Sequence, residues 1–370
     1  MLEHNFSGTP FTIGIEEELM LLDPETLNLT PGIETILEAV PPEYADQVKP
    51  ELFQSVLEIA TRPCGGVGEA TEELAELRSM VCGVAAEHGM GVGAGGTHPF
   101  ALCRDQEIVQ RERYIELYEE LQFVARQELI FGIHVHVGID APDKAIYVAD
   151  GIRRYLPLLL ALSSNSPFWE GQHTGMQSAR TAAFRSFPRV GIPPHYGTWE
   201  IFSRRVEQMM RSGAIADYTY LWWDVRPHPN VGTVETRVFD QASELADTAA
   251  FAALTQSLAH RLAGVYAEGE PLVEVPQELV DDNKVRAAVR GIDGELLDIT
   301  EGHHRPAREL GRRLLDELAP SAGELGCEGE LSRIGEILDT GTASADQLRI
   351  ASENDGDLRA VVEQAIQLGR

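Results

Sequence analysis

The sequence predicts an α+β fold organised around an antiparallel sheet. Strand-like segments come early and are interleaved with helices, without the strict alternation that a parallel βαβ sheet requires. From Glu244 onward the pattern is almost wholly helical. Three of the strand-like segments carry polar residues two apart between apolar neighbours, the period of a strand with one buried face.

The elements follow in order. Phe11 to Leu22 opens Phe-Thr-Ile-Gly-Ile, places Glu16 and Glu18 two apart, and stops at the Asp23-Pro24 turn. Val48 to Thr61 is β-type and closes at Arg62-Pro63. Glu69 to His88 has helical spacing, with Leu74, Leu77 and Val81 on one stripe. Gly89 to Thr97 is glycine-rich. Asp105 to Arg126 is expected as a long charged helix, Ile130 to Ile139 as a strand, and Asp143 to Leu162 as a third helix. Ser163 to Gly197, rich in Ser, Gly, Pro and Arg, is expected as a functional loop or lid. Leu221 to Arg226 and Thr233 to Asp240 are strands around a Pro-His-Pro-Asn turn.

Length and composition bound the function. At 370 residues the chain fits one large domain or two ordinary ones. The expected organisation is a single catalytic α+β domain over residues 1–370, with a helical region from about 244 to 370 packed as part of it. A 43% hydrophobic, 24% charged composition excludes a mainly disordered chain. Acids outnumber bases 59 to 30, a net charge of −29, which argues against nucleic acid and against an anionic membrane surface as partners. Cys64, Cys82, Cys103 and Cys327 have no C-x-x-C spacing and read as the reduced thiols of a cytoplasmic protein. Met1 to Pro10 shows no signal peptide, and the longest apolar run, Leu158 to Leu162, is too short to span a bilayer.

The chemistry lies in the paired polar residues. Glu16 with Glu18, His134 with His136, and Glu235 with Arg237 each share a strand face amid apolar flanks. One such pair alone reads as a solvated face. Three together are costly unless the groups coordinate metal or pair with one another. Glu51 and Glu58, seven apart, join that face only if the chain turns or bulges near Phe53 and Gln54. A site rich in carboxylates with a little imidazole suits Mg²⁺ or Mn²⁺ rather than zinc. Arg62, Arg180, Arg185, Arg189, Arg226 and Arg237 supply positive charge beside it. Carboxylate-held metal next to arginine is equipment for phosphoryl transfer.

Three familiar signatures are excluded. Gly91-Val92-Gly93-Ala94-Gly95-Gly96 matches G-x-G-x-x-G, but a helix precedes it and Thr97-His98-Pro99 follows, so a glycine-rich strand or turn is expected instead of a dinucleotide site. Neither a P-loop nor a G-x-S-x-G elbow occurs.

With these segments in order, the chain resembles the carboxylate–amine ligases of the type 2 glutamate–cysteine ligase group. The matching stretches are Gly14-Ile15-Glu16-Glu17-Glu18, Glu51 to Thr61, Gly95-Gly96-Thr97-His98-Pro99, Gly132-Ile133-His134-Val135-His136-Val137-Gly138, Ser163-Ser164-Asn165-Ser166-Pro167, Trp223-Asp224-Val225-Arg226-Pro227 and Gly232-Thr233-Val234-Glu235-Thr236-Arg237. The resemblance implies a glutamine-synthetase-like fold, a curved antiparallel funnel with helices outside. It implies ATP, Mg²⁺ (or Mn²⁺), glutamate, and cysteine or another amine, joined through an acyl phosphate with release of ADP and phosphate. By the same likeness Glu16, Glu18, Glu51, Glu58, His134 and Glu235 are metal-facing, and Glu235 and Arg237 catalytic. Arg180, Arg226 and His136 are substrate contacts. Some members ligate cysteine only weakly. A homodimer is the default for an enzyme of this size. The rival reading is a metal-dependent hydrolase of the amidohydrolase kind using His134 and His136, which would require an alternating (β/α) pattern and no ATP.

Overall fold

The computed structural model describes residues 1–368; residues 369–370 of the expected helical C-terminal region lie outside the described residues. In chain order the first elements are β1 (Ile13–Leu22), α1 (Ile33–Ala39), β2 (Val48–Pro50), β3 (Val56–Ala60), α2 (Val67–Glu87), β4 (Gly91–Gly93), α3 (Glu112–Leu121), β5 (Gly132–Gly138), α4 (Pro142–Ile152) and α5 (Leu156–Ser163). Next come β6 (Phe168–Trp169), β7 (Gln172–His173), α6 (Ala179–Phe184), β8 (Val190–Gly191), α7 (Trp199–Arg211), β9 (Trp222–Trp223), β10 (Val225–His228) and β11 (Thr233–Asp240). The remainder is α8 (Leu245–Ala267), α9 (Gln277–Arg290), β12 (Glu295–Asp298), β13 (His303–Pro306), α10 (Ala307–Leu325), α11 (Glu328–Thr340), α12 (Ala343–Glu353) and α13 (Leu358–Leu368).

Seven strands form the main sheet in the order β10-β11-β5-β1-β3-β2, with β4 pairing the far end of β1. Every pair in it is antiparallel. The (β/α) alternation that a hydrolase barrel would need is therefore not how this sheet is built. A bulge between Thr236 and Phe239 bends β11 against β5.

The two faces of the sheet follow the strand period. Ile13, Ile15, Leu19 and Leu21 of β1, Ile133, Val135 and Val137 of β5, and Val234 and Val238 of β11 are buried in one core that also takes α2, α4, α5 and α8. Glu17 points the same way, between two charged neighbours that point the other way. It is fully buried and accepts two hydrogen bonds from Arg78 of α2, each 2.6 Å, and one from the Thr248 hydroxyl of α8, also 2.6 Å. A buried carboxylate persists only with such partners, and these tie the central strand to two helices.

Several elements depart from the pattern expected of them. The helix expected over Asp105 to Arg126 is only α3. Residues 107–109 run extended instead, with Val109 N–H donating to Leu52 and Gln54 N–H to Glu107. The helix expected over Asp143 to Leu162 is split into α4 and α5 by a tight turn, Arg153–Tyr155, just before Pro157. The stretch from Ser163 to Gly197 holds α6 and three short strands, and it is pinned from inside. Buried Asp240 accepts from Asn165 N–H (2.9 Å), Ser166 Oγ (2.6 Å) and Ser178 Oγ (2.8 Å). The C-terminal region interrupts its helices with the hairpin β12–β13. The glycine-rich segment is strand β4, as expected. Gly96 lacks room for a Cβ, which would lie 2.9 Å from the Asp240 carboxyl group.

Cys64, Cys103 and Cys327 are buried thiols. Among the described residues no helix is long and apolar enough to cross a membrane.

Candidate active site

Pairing register places the chemistry in a row that steps diagonally over three successive rungs on one face of the sheet. Arg226 on β10 lies opposite Glu235 on β11, and Glu235 opposite His136 on β5. Glu16 on β1 lies between His134 on β5 and Ala60 on β3. Glu18 faces Glu58 on β3, and Glu58 faces Lys49 on β2. The chain does turn between Glu51 and Glu58, at residues 51–55. That turn brings two carboxylates seven apart to the same site.

The contacts are short and specific. His134 Nδ1 lies 2.9 Å from Glu16 Oε2, and His134 Nε2 3.8 Å from Glu18 Oε1. His136 Nδ1 meets Thr233 Oγ1 at 2.9 Å, while its Nε2 has no hydrogen-bond partner. That nitrogen faces Glu16 Oε1 at 3.5 Å and Glu235 Oε1 at 4.0 Å. Glu235 is gripped by Arg226, with Nε at 2.6 Å and Nη2 at 3.2 Å, and by Arg237 Nη1. Arg237 Nη1 also stands 3.2 Å from His134 Nδ1.

Two trios in this row have ligand atoms all within 4.8 Å of one another: Glu16, His136 and Glu235, and Glu16, Glu58 and His134. Oxygen-rich sets with one imidazole each, and a buried imidazole nitrogen left unpartnered, fit a hard divalent cation such as Mg²⁺ or Mn²⁺.

The ionisation states reflect crowded negative charge. Burial resists ionisation of Glu16, yet His136 and a hydrogen bond from His134 hold its carboxyl well below the usual range. Burial likewise resists charge on Glu235, and Arg226 and Arg237 outweigh it. Burial pushes Glu58 up to about 7, and the Glu16 carboxylate adds to this against the pull of Lys49. Burial would lower His136, but Glu235 and Glu16 raise it. For His134, burial and then Arg237 lower the pKa. The row thus balances its own charge with protons and arginines, and a divalent cation balances the same charge at closer range.

A second group lies on one side of the row, toward the C-terminal end of β1. Glu18, Glu51, Glu128, His134, Arg180 and Arg237 line a tight cavity of about 30 Å³. Burial, then Glu58 and Glu18, raise Glu51 well above a normal carboxyl, and burial with Glu18 raises Glu128 to about 8. Arg180 is 5% exposed and its Nε has no partner. Its other nitrogens reach the Val238 and Arg237 carbonyls only at 3.4 Å. On the other side, toward the N-terminal end of β1, a larger cavity of about 540 Å³ is lined by Glu16, Lys49, Arg62 and His136 with Thr12 to Ile15, Glu43, Asp46 and Gln47.

Of the residues singled out from sequence, Glu16, Glu58, His134, Glu235 and Arg237 converge most closely. Glu18 and Glu51 stand beside them in the small cavity, with Arg180 over it. His136, expected as a substrate contact, completes a cation-capable trio. Arg226, also expected to meet substrate, instead spends Nε and Nη2 on Glu235 and Nη1 on the Thr219 and Leu221 carbonyls, both at 2.8 Å. It positions Glu235. Arg185 pairs with Asp281 and Arg189 with the Tyr220 carbonyl, both away from the row. Sequence reasoning missed Lys49 and Glu128. Lys49 was legible only as a neighbour of Glu51, and Glu128 lies in a loop with no periodicity.

Comparison with known proteins bears on the family and the fold. The profile of glutamate-cysteine ligase family 2 (GCS2) matches residues 12–364. The "Putative glutamate–cysteine ligase 2-1" of Rubrobacter xylanophilus is 42% identical over 366 residues, 99% of this chain and 96% of that one. A protein of the same type from Solibacter usitatus is 39% identical over 357 residues, 96% of this chain and 92% of that one. Among solved structures, glutamate–cysteine ligase from Francisella tularensis in complex with AMP superposes with a TM-score of 0.73 at 13% identity, over 99% of this chain and 89% of that one. A bifunctional glutathione synthetase from Pasteurella multocida gives 0.70 at 15% identity, over 97% and 52%. At these identities the structures speak for the fold alone, an antiparallel sheet with helices outside, as expected from the sequence.

Proposed function

We propose, since this chain belongs to the glutamate–cysteine ligase family 2, that it is an ATP-dependent carboxylate–amine ligase joining the side-chain carboxylate of glutamate to an amine, with cysteine the first amine to test. The observation that carries this reading is the row of Glu16, Glu58, His134, His136 and Glu235 flanked by Arg237, with a cavity on each side.

A carboxylate is a poor electrophile, so the γ-phosphoryl of ATP is moved onto it before the amine attacks. The bond between the γ-phosphorus and the β,γ-bridging oxygen breaks, a bond to the carboxylate oxygen forms, and ADP leaves. The amine nitrogen then bonds to the acyl carbon, phosphate departs with the former carboxylate oxygen, and the amine sheds a proton. Divalent cations held by the two trios would, when bound, screen the carboxylates from the polyphosphate.

The chain's own residues do the rest. Arg237 is held in place by Glu235 and keeps its Nε free, so its planar fork is aimed at phosphoryl oxygens. Arg226 fixes Glu235 and through it Arg237. The small cavity, at about 30 Å³, is too tight for a whole amino acid and must widen to admit one; once widened, Arg180 suits the α-carboxylate, and Glu51 and Glu128 suit the ammonium group. The larger cavity has room for the nucleotide.

A coupled ADP-release assay over pairs of amino acids with Mg²⁺ tests the reading. ADP should appear only when an acid and an amine are both present, with glutamate and cysteine among the active pairs. Turnover of an amide without ATP would favour the hydrolase reading instead.

A further inference from the structure

We propose that Lys49 is a charge-exchange residue of this site: its ammonium holds Glu58 until a divalent cation takes that carboxylate, and then turns to the phosphate oxygens of the nucleotide. The inference rests on the reading above, that nucleotide and divalent cation meet on this face.

The position of Lys49 favours two partners. Strand β2 is the sheet edge, and Val48 and Pro50 are buried while Lys49 points out of the same backbone. Lys49 Nζ lies 2.9 Å from Glu58 Oε1, yet the side chain is 47% exposed. It is therefore anchored at its tip and free along its stem. Burial works to discharge it, but Glu58, Glu16 and Glu51 together keep it protonated.

Glu58 belongs to the trio Glu16, Glu58 and His134. An ammonium at 2.9 Å and a divalent cation on one carboxylate repel each other strongly, so occupancy by one expels the other. The expelled ammonium has a place to go. Lys49 lines the 540 Å³ cavity, whose acidic side chains are Glu16, Glu43 and Asp46. Its second cation, Arg62, is engaged by the Glu73 carboxylate at 3.4 Å and by the Glu43 carbonyl at 3.3 Å. Lys49 and Arg62 are thus the two basic side chains of a mostly acidic wall that must receive a polyphosphate, and Lys49 is the one whose carboxylate partner belongs to a cation-capable trio.

The residue type fits. The chain uses 27 arginines among its 30 bases, and this position holds one of its three lysines. A lysine is a point charge on a flexible stem and can change partners. An arginine's planar fork would clamp Glu58 with two hydrogen bonds and keep it.

The test uses the full-length protein and two binding measurements. Mn²⁺ affinity is read from the free-ion electron paramagnetic resonance signal without nucleotide. Affinity for a non-hydrolysable ATP analogue at saturating Mg²⁺ is read by calorimetry. Lys49→Met should bind Mn²⁺ about tenfold tighter and the analogue about tenfold more weakly, each the size of one charge-assisted hydrogen bond. Lys49→Arg should bind Mn²⁺ more weakly than wild type. Lys49→Gln, which keeps a polar tip, should follow Lys49→Met in both directions and stands in for it if the thermal midpoint shows that the methionine variant is misfolded. Opposite signs for the two ligands are the signature. Shifts of the same sign, or none, mean that Lys49 is only a strut for Glu58 and overturn the inference alone. A wild-type protein that binds neither Mn²⁺ nor the analogue overturns the ligase reading, and this inference with it.

Discussion

Gly132 begins strand β5 where its neighbours leave no room for a side chain. A Cβ there would lie 2.2 Å from Arg180 Nη2 and 2.7 Å from its Cζ, and the Gly132 N–H donates to Glu18 Oε2 at 2.5 Å. One backbone position thus seats a carboxylate and an arginine together. Gly132→Ala should displace Arg180 while preserving the fold. We expect the KM for the acid substrate to rise about tenfold, the loss of one hydrogen bond to charge, with little change in the KM for ATP. Adding Arg180→Ala should cost little more, because both changes remove the same contact. Steady-state kinetics with each substrate varied decides it, and a rise confined to ATP would misplace Arg180. At this scale the sequence was partly legible. Glu16, Glu18, His134, His136, Glu235 and Arg237 announce a shared face because the strand period is rigid. Glu17 shows the limit of residue type as a signal, since the same acid one step along points into the core and serves stability. Lys49 and Glu128 are placed by an edge strand of three residues and by a loop, where no period exists to read.

Among the elements, strands were more legible than helices, because two-residue alternation survives short lengths and helical spacing does not reveal a break. The extended backbone of residues 107–109, charged enough to pass for helix, is recruited by hydrogen bonds to the 52–54 turn that carries Glu51 into the site. Hairpin β12–β13 was hidden because Glu-Leu-Leu-Asp and His-His-Arg-Pro are poor in β-type residues. The segment after β4 makes a pH prediction. His98 Nδ1 accepts from the Phe100 and Ala101 N–H groups at 3.2 and 2.9 Å, so it carries no proton, and Nε2 donates to the Leu27 carbonyl at 2.9 Å. Burial lowers its pKa from 6.5 to about 4. The unfolded chain then binds the extra proton first, so the contribution is complete above pH 6.5 and is lost as pH falls toward 4. The stability advantage of wild type over His98→Gln should shrink by roughly 2 kcal/mol between pH 7.5 and 4.5. Denaturant titrations at both pH values measure it; a difference that does not change with pH would mean that His98 is not held neutral.

For the molecule as a whole, the sheet brings the two cavities to one row of carboxylates, and that arrangement dictates an order of chemistry. On the proposed reading the nucleotide is received near Glu16, His136 and Lys49, which line the larger cavity, and the acid near Glu18, Glu51, Glu128 and Arg180, which line the smaller one. Arg237 and His134 belong to the acid cavity, yet both touch groups of the central row, Glu235 and Glu16. The transferred phosphoryl group must therefore cross the row before an amine can attack, because only the crossing gives the carboxylate a leaving group. Glutamate labelled with ¹⁸O in its side-chain carboxylate should deliver one labelled oxygen to phosphate for every amide formed, read by mass spectrometry of the released phosphate. Arg237→Ala should slow amide formation by orders of magnitude without changing that ratio, because the route is set by placement and the arginine lowers its barrier. Unlabelled phosphate accompanying stoichiometric amide would mean that ATP is hydrolysed apart from the bond it drives. Two cavities facing one row would then have no mechanistic reason, since hydrolysis uncoupled from the acid does not require the two substrates to meet.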